Sequence, residues 1–317
     1  MNGRSASAAA SRNASPAAAV GYAHPAYARS LGALGRPFGF DASGGWLIER
    51  PIAGTGRADA MAPYPLLCCL EWAALAGDLA DLERSGRLVS AVAVIDPFAP
   101  VDAGDLADAF PDLVRPYKDH HVVRLDRPRD QIASKHHRYY ARRALGALAV
   151  EPVADLTAFA PQWVALYANL VARHGLSGLH AFSAMALADQ LVVPGAIAFR
   201  ALAHGEVVGA HVWYRQGEVA YSHLAASTEA GYRLGASYAL HWEALAYFAR
   251  AGVAWLDLGA AADGGRDGLR AFKAGWANAT RTAYLCGRIL DRANYRDLAA
   301  RAGSRGEYFP AYRGPSD

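Results

Sequence analysis

The chain carries only three lysines, Lys118, Lys135 and Lys273, against 29 arginines. Where a plain positive charge suffices, it uses arginine. Lys273, in FKAGW, is therefore a candidate for chemistry: lysine offers a compact ammonium, three freely aimed donors and a pKa that burial can lower. Such a group can meet an oxyanion or a phosphate without crowding it. His223, in YSHLAAS, is the second catalytic candidate, because an imidazole titrating near neutrality can take a proton from an attacking amine. The alternative is a histidine hydrogen-bonded within a sheet. SKHHRYYARRAL sets Lys135, Arg138 and Arg142 at three- and four-residue spacing with aromatic residues between them. That stripe suits the phosphates of an acceptor or of tRNA, and its alternative is a solvated helix face. The histidine pairs at 120–121 and 136–137 invite a metal. Adjacent residues point different ways, and no acidic or cysteine partner has ligand spacing, so no metal is expected.

Composition narrows what these residues can belong to. At 317 residues, 53% hydrophobic and 19% charged, the chain suits a globular protein of two domains and is too apolar to be disordered. Net charge is +3, and the first 38 residues hold four arginines and no acid, which leaves the remainder near neutral. That argues against an overall clamp on DNA. Three cysteines, two of them adjacent, make neither a disulfide framework nor a spaced zinc motif, and a reducing cytoplasm is the expected home. No apolar run reaches the ~18 residues of a membrane span. Residues 1–38, rich in Ala and Ser, read as a disordered leader.

The elements that must position the candidates follow from periodicity. GWLIERPI reads as a strand, Tyr64 to Arg84 as an amphipathic helix, and LVSAVAVID and HVVRLD as strands. A basic helix runs from Pro128 to Leu145. Then come the strand LGALAVEPV, helices over 155–173 and 183–191, and an antiparallel meander of AIAFRALAHG, EVVGAHVWYRQ and GEVAYSHLAAS. A helix from Leu234 to Ala251, the strand AWLDLG, a helix over 269–274, the strand TAYLCGRIL and a helix over 294–301 complete the order before the aromatic tail EYFPAYRG.

This order, with YSHLAAS, GYRLGASYALHWEAL, WLDLGAA, DGLRAFKAGW, YFPAYR and SKHHRYYARRAL, resembles the Fem-type (FemABX-like) branch of the GNAT acyltransferase superfamily, from about residue 40 onward. The resemblance implies an α/β fold of two GNAT-like halves, each a mixed, mostly antiparallel sheet flanked by helices. Residues 39–145 would form the first half, with 291–317 packing back on it, and 146–290 the second, which holds the reactive cleft. In that fold the strand carrying Ser222, His223 and Leu224 ends where the sheet splays, so backbone amides there can bind a donor carbonyl. Tyr221 and His223 would share one face, Ser222 and Leu224 the other. Phosphate-binding relatives carry Gln/Arg-x-x-Gly-x-Gly/Ala at the next helix start. This chain has Tyr232-Arg233-Leu234-Gly235-Ala236-Ser237, with Gly235 in place and Arg233 one residue late. That departure puts acetyl-CoA in doubt and leaves Arg233, Gly235 and Ser237 as donor-binding candidates. Asp257 and Gly259 would lie beside the cleft, where a carboxylate orients a donor ammonium group, fixes the following loop, or merely caps. The loop over 260–268 has neither Rossmann nor Walker spacing and reads as a lid. Lys273 matches the lysine of the family's Phe-Lys-x-Gly-aromatic segment, completed here by Phe272, Gly275 and Trp276, which is associated with binding at the active cleft.

The resemblance implies a cytoplasmic transferase that moves an acyl or aminoacyl group onto an amine, without cofactor. The donor would be aminoacyl-tRNA or an acyl carrier, the acceptor a small or carrier-linked amine held in part by Lys135, Arg138 and Arg142. The alternatives are a CoA-dependent N-acyltransferase and a degenerate GNAT pair that binds a ligand without turning it over.

Overall fold

Runs of alternating apolar residues bury one face each, and here they pair into one continuous sheet. The computed structural model describes residues 18–260, 267–303 and 308–314. In the first half the strands are β1 (Arg36–Gly39), β2 (Trp46–Ile52), β3 (Arg57–Met61), β4 (Ser90–Val94) and β5 (Leu113–Arg124), with helices α1 (Pro25–Ser30), α2 (Leu75–Arg84), α3 (Ala103–Ala109), α4 (Arg129–Ile132) and α5 (Lys135–Leu145). The second half has β6 (Ala149–Pro152), α6 (Leu156–His174), α7 (Ala184–Leu191), β7 (Ala196–Ala203), β8 (Glu206–Gln216), β9 (Val219–Ser227), α8 (Glu229–Leu234), α9 (Ala236–Arg250), β10 (Trp255–Ala260) and α10 (Asp267–Trp276). The chain then forms β11 (Ala279–Ile289) and α11 (Arg292–Ala302).

The strand order is β1-β2-β3-β4-β11-β5-β10-β9-β8-β7-β6, and only β3–β4 and β9–β10 are parallel. Strand β11 leaves the second half and inserts between β4 and β5, so a cut at residue 290 would tear the first half's sheet. The two halves meet where β5 pairs antiparallel with β10. Helices α5 and α9 cover one face of the second half through Trp213, Leu256, Phe248 and Trp276, while α6 and α7 cover the other. The first half packs α2 and α3 on Leu47, Ala91, Ala93 and Cys286.

Several expectations need correction. Residues 18–38 are not a disordered leader. Pro25 opens α1, His24 Nδ1 accepts from Ala26 N at 3.1 Å, and Tyr22 and Tyr27 are buried against Ile48, Leu66, Tyr214 and Tyr221. Residues 1–17 lie outside the described residues. The helix expected from Tyr64 forms only from Leu75, because Pro63 and Pro65 remove backbone donors and Leu67 bridges to Ile95 beside β4. The basic helix breaks at Ser134, whose hydroxyl accepts from His137 N to cap α5. The helix expected from Leu234 forms as α9 from Ala236, and Gly235, at φ 75°, separates it from α8, a short helix that was not expected. Strands β1 and β3 and helices α1 and α3 carried too little periodicity to be expected. No helix among the described residues is long and apolar enough to cross a membrane.

The carboxyl-terminal residues 308–314 form a strap on the first half. Phe309 lies over Gly287, where a Cβ would come within 2.4 Å of the ring. Tyr312 shares hydrogen bonds with Ser90 (2.7 Å) and Asp59 (3.2 Å), and Leu298 of α11 packs on Ile52 and Val89.

Candidate active site

Strands β9 and β10 run parallel only through Tyr221 and Asp257. Beyond that point β9 stays with β8 and β10 with β5, so the sheet opens into a cavity of ≈ 1280 Å³. The edge of β9 past Tyr221 has no strand on β10's side, which leaves the Ser222 to Leu224 stretch at the opening. A bulge between Val212 and Trp213 pairs them with Leu224 and Ser222 and leaves His223 as the extra residue. The bulge also corrects the expected alternation. Ser222 faces α9, but Leu224 packs with the α6–α7 cluster on the same side as Tyr221 and His223.

At the centre of the opening stands a pair of which sequence reasoning foresaw only one member. His120 of β5 and Asp257 of β10 are 7% and 2% exposed, and His120 Nδ1 lies 2.8 and 3.0 Å from the two carboxylate oxygens. Asp257 also accepts from Gly259 N at 2.7 Å. Gly259 takes φ 74°, and a Cβ there would sit 3.3 Å from Lys273 Nζ. Lys273 donates to the Ala260 carbonyl at 2.7 Å. Burial pushes its pKa down to about 8, with Asp257 acting in the opposite direction. The Lys273 ammonium, the His120–Asp257 pair and the β9 edge therefore line one space.

Two more buried histidines border it. His211, fully buried, bonds Ser222 Oγ through Nε2 at 2.8 Å, and burial holds its pKa well below the ordinary value. His241 donates from Nδ1 to Ser237 O at 2.9 Å, with burial lowering it to about 4. On the opposite face Tyr221 donates to Asp96 at 2.7 Å, and burial raises Asp96 to about 6.

Of the sequence candidates, Lys273, His223, Ser222, Leu224, Ser237, Asp257 and Gly259 line the cavity. His223 nevertheless fails as a general base. Tyr22 OH meets its Nδ1 at 3.2 Å, its Nε2 meets Gln190 Oε1 at 3.1 Å, Tyr214 stacks on its ring, and burial lowers it to about 3. It is the sheet-bound histidine of the alternative reading. Arg233 and Gly235 do not line the cavity. Arg233 is exposed beside Glu229, and the segment forms helix α8, where Gly231 N bonds Thr228 Oγ1 and Tyr232 N bonds Thr228 O. Lys135, Arg138 and Arg142 also lie outside it. Arg138 donates to the Asp130 carbonyl and Arg142 pairs with the Asp130 carboxylate at 3.6 Å. Of the lid expected over 260–268, residues 261–266 fall outside the described residues, while Ala260 ends β10 and 267–268 open α10.

His120 was weighed only as half of a histidine pair, since its partner stands 137 positions away. His241 had a weak signal: an ionisable residue between Leu240 and Trp242 in a largely apolar helix.

Residues 129–274 match the family model of the acetyltransferase (GNAT) domain. No curated protein matches the chain. Among solved structures, FemX is 13% identical and superposes with a TM-score of 0.64 over 86% of this chain and 92% of its own. L-PGS from Bacillus licheniformis is 17% identical, with a TM-score of 0.56 over 82% and 87%. A conserved protein of unknown function from Bacteroides thetaiotaomicron, 13% identical, gives 0.57 over 83% and 89%. At these identities the likeness is one of fold.

Proposed function

For a chain with the Fem-type arrangement of the GNAT fold, two GNAT-like halves on one sheet, we propose a transferase that moves an acyl or aminoacyl group from an ester or thioester donor to an amine. The observation that carries the reading is the His120–Asp257 pair facing Lys273 across the opening between β9 and β10. The GNAT-domain match supports acyl transfer in general.

Asp257 holds Nδ1 of His120, which leaves Nε2 to take the proton of the attacking amine. The amine nitrogen bonds to the donor carbonyl carbon, and the carbonyl oxygen becomes an oxyanion. Lys273, protonated, and the amides at the open edge of β9 meet that charge. Collapse expels the donor's hydroxyl or thiol, which recovers a proton from His120. No cofactor enters these steps.

Aminoacyl-tRNA is favoured over CoA as the donor. The stretch over 232–237 that would cradle a CoA pyrophosphate has Arg233 one residue late, and its Tyr232 and Gly235 amides are already bonded to the Thr228 and Tyr232 carbonyls. The Lys135, Arg138 and Arg142 stripe, with Lys135 and Arg142 exposed, Arg138 half-buried and Tyr139 60% exposed, offers tRNA a surface outside the cavity. The purified protein is incubated with charged tRNA and, separately, with acyl-CoA, each with an amine acceptor, and loss of ester or thioester is followed. The expected result is ester loss, with the double variant Arg138→Gln, Arg142→Gln raising KM for tRNA more than it lowers kcat. Thioester loss alone would establish the CoA reading, and loss of neither would leave a binding module.

A further inference from the structure

The described cations that line the cavity come from the first half, the carboxyl-terminal strap and α10: Arg50, Arg115, Lys118, Arg313 and Lys273. The opposite arm, in the second half, is of another kind. It runs past the open edge of β9 between the end of α6, the turn over 176–180 and α8, and its described lining residues include no Asp, Glu, Lys or Arg. Leu170, Leu176, Leu179 and Leu224 line it instead. Leu170, Leu176 and Leu224 are only half-buried and Leu179 is 36% exposed, so α6, the turn and β9 all leave apolar surface uncovered around one space.

Local structure explains how these leucines come together. The bulge at His223 turns Leu224 onto the side of the sheet where α6 packs, whereas plain alternation would send it to the α9 side with Ser222. Gly175, at φ 59°, ends α6, and Leu176 N bonds back to the Val171 carbonyl at 3.2 Å, which folds Leu176 over the helix end. The turn that follows is held where Tyr167 OH donates to the His180 carbonyl at 2.8 Å. Side chains of α6 and α8 then tie the two helices together. Tyr232 OH meets His174 Nε2 at 3.5 Å, Arg173 pairs with Glu229, and the Arg173 guanidinium lies 4.2 Å from the centre of the Tyr232 ring.

We propose that this arm receives a large apolar side chain of the group being transferred, of leucyl or phenylalanyl size. The assignment to the transferred group rests on the transfer reading above. In that reading the donor carbonyl lies at the open edge of β9, and the substituent on its carbon is the part of either substrate nearest the arm. Tyr221 is the last residue of β9 in register with Asp257, and Leu224 stands three residues further on, or about 10 Å at ordinary strand rise. A glycyl or alanyl group falls short of that wall, whereas a leucyl or phenylalanyl side chain reaches toward it and covers the half-buried leucines. A lysyl side chain would carry an ammonium into a space whose described lining residues offer it no carboxylate.

The test reads binding, so it does not depend on turnover. Amide-linked aminoacyl-adenosines, in which nitrogen replaces the ester oxygen, are stable mimics of a charged tRNA end. Those carrying leucine, phenylalanine, glycine or lysine are each titrated into the full chain by calorimetry. The leucyl and phenylalanyl mimics should bind at least about tenfold more tightly than the glycyl and lysyl ones. Leu179→Asp and Leu224→Asn should each abolish that preference, whereas Met185→Ser, at an exposed position of α7 that does not line the cavity, should retain it. Should Leu224→Asn lower the melting temperature, Leu179→Asp, at the more exposed position, decides. Equal affinities, tighter binding of the glycyl or lysyl mimic, no binding of any mimic, or an undiminished preference in Leu179→Asp would overturn the assignment. A leucyl preference that Leu179→Asp removes, in a protein that transfers nothing from charged tRNA or acyl-CoA, would uphold the apolar arm and overturn the transfer reading instead.

Discussion

Lys273 shows how one side chain's surroundings set its chemistry. Its ammonium lies close to the turn at Gly259 and is bonded to the Ala260 carbonyl, so a planar guanidinium would have to seat differently. Lys273→Arg keeps the charge and displaces it. The expected loss in kcat is roughly 100-fold, the usual effect of removing one transition-state donor. The pH dependence has a definite sign. Burial brings the folded pKa to about 8 from an ordinary 10.5, so the protonated form that meets an oxyanion is lost as pH rises through about 8. The kcat profile should fall there, and Lys273→Arg should lack that falling limb. Stability runs the other way. A lysine whose folded pKa lies below its unfolded value weighs against folding while protonated, and that penalty fades between about 8 and 10.5. Lys273→Met should therefore abolish transfer at pH 7 without lowering the melting temperature. A clear drop in melting temperature would give Lys273 a structural role instead.

Helix α10 reaches its place through glycine at one position. Its Gly275 lies against the His137 ring of α5, where an added Cβ would come within 1.9 Å of Cε1. His137 is itself fixed, with Nδ1 on Ser134 Oγ at 2.8 Å and Nε2 on the Phe272 carbonyl at 2.9 Å. Gly275→Ala must push α10 and α5 apart, at a cost of about 1–3 kcal/mol, and carry Lys273 away from Gly259. Activity and melting temperature should fall together, and His137→Ala added to Gly275→Ala should recover part of both. Without that recovery, the close contact is not what positions Lys273. This contact also shows what the sequence could convey. The rarity of lysine marked Lys273, the resemblance of FKAGW and WLDLGAA to the family's segments marked Gly275 and Asp257, and alternation with turn residues marked the meander. His120 carries no local mark, because what makes it chemical is a carboxylate on another strand. The bulge at His223 was equally hidden, since its register depends on β8.

At the scale of the whole chain, the halves are two in their element order and one in their hydrogen bonding. Strand β5 pairs with β10 from the second half on one side and with β11 on the other, and β11 joins on to β4. A second seam lies above the sheet. Tyr27, fully buried, packs with Ile48 and Leu66 of the first half and Tyr214 of the second, and its hydroxyl donates to the Tyr64 carbonyl. Neither half can unfold without exposing the other's strand edge and this shared cluster, so the free energies of the two should not separate. Calorimetry should show one unfolding transition whose van't Hoff and calorimetric enthalpies agree. Tyr27→Ala should lower stability by about 3–5 kcal/mol, the range for emptying a buried aromatic site, and should shift that transition without splitting it. Two transitions in the wild type would mean that the β5–β10 seam is weaker than its register implies. A split confined to Tyr27→Ala would mean that the aromatic cluster, rather than the continuous sheet, couples the halves across the cavity.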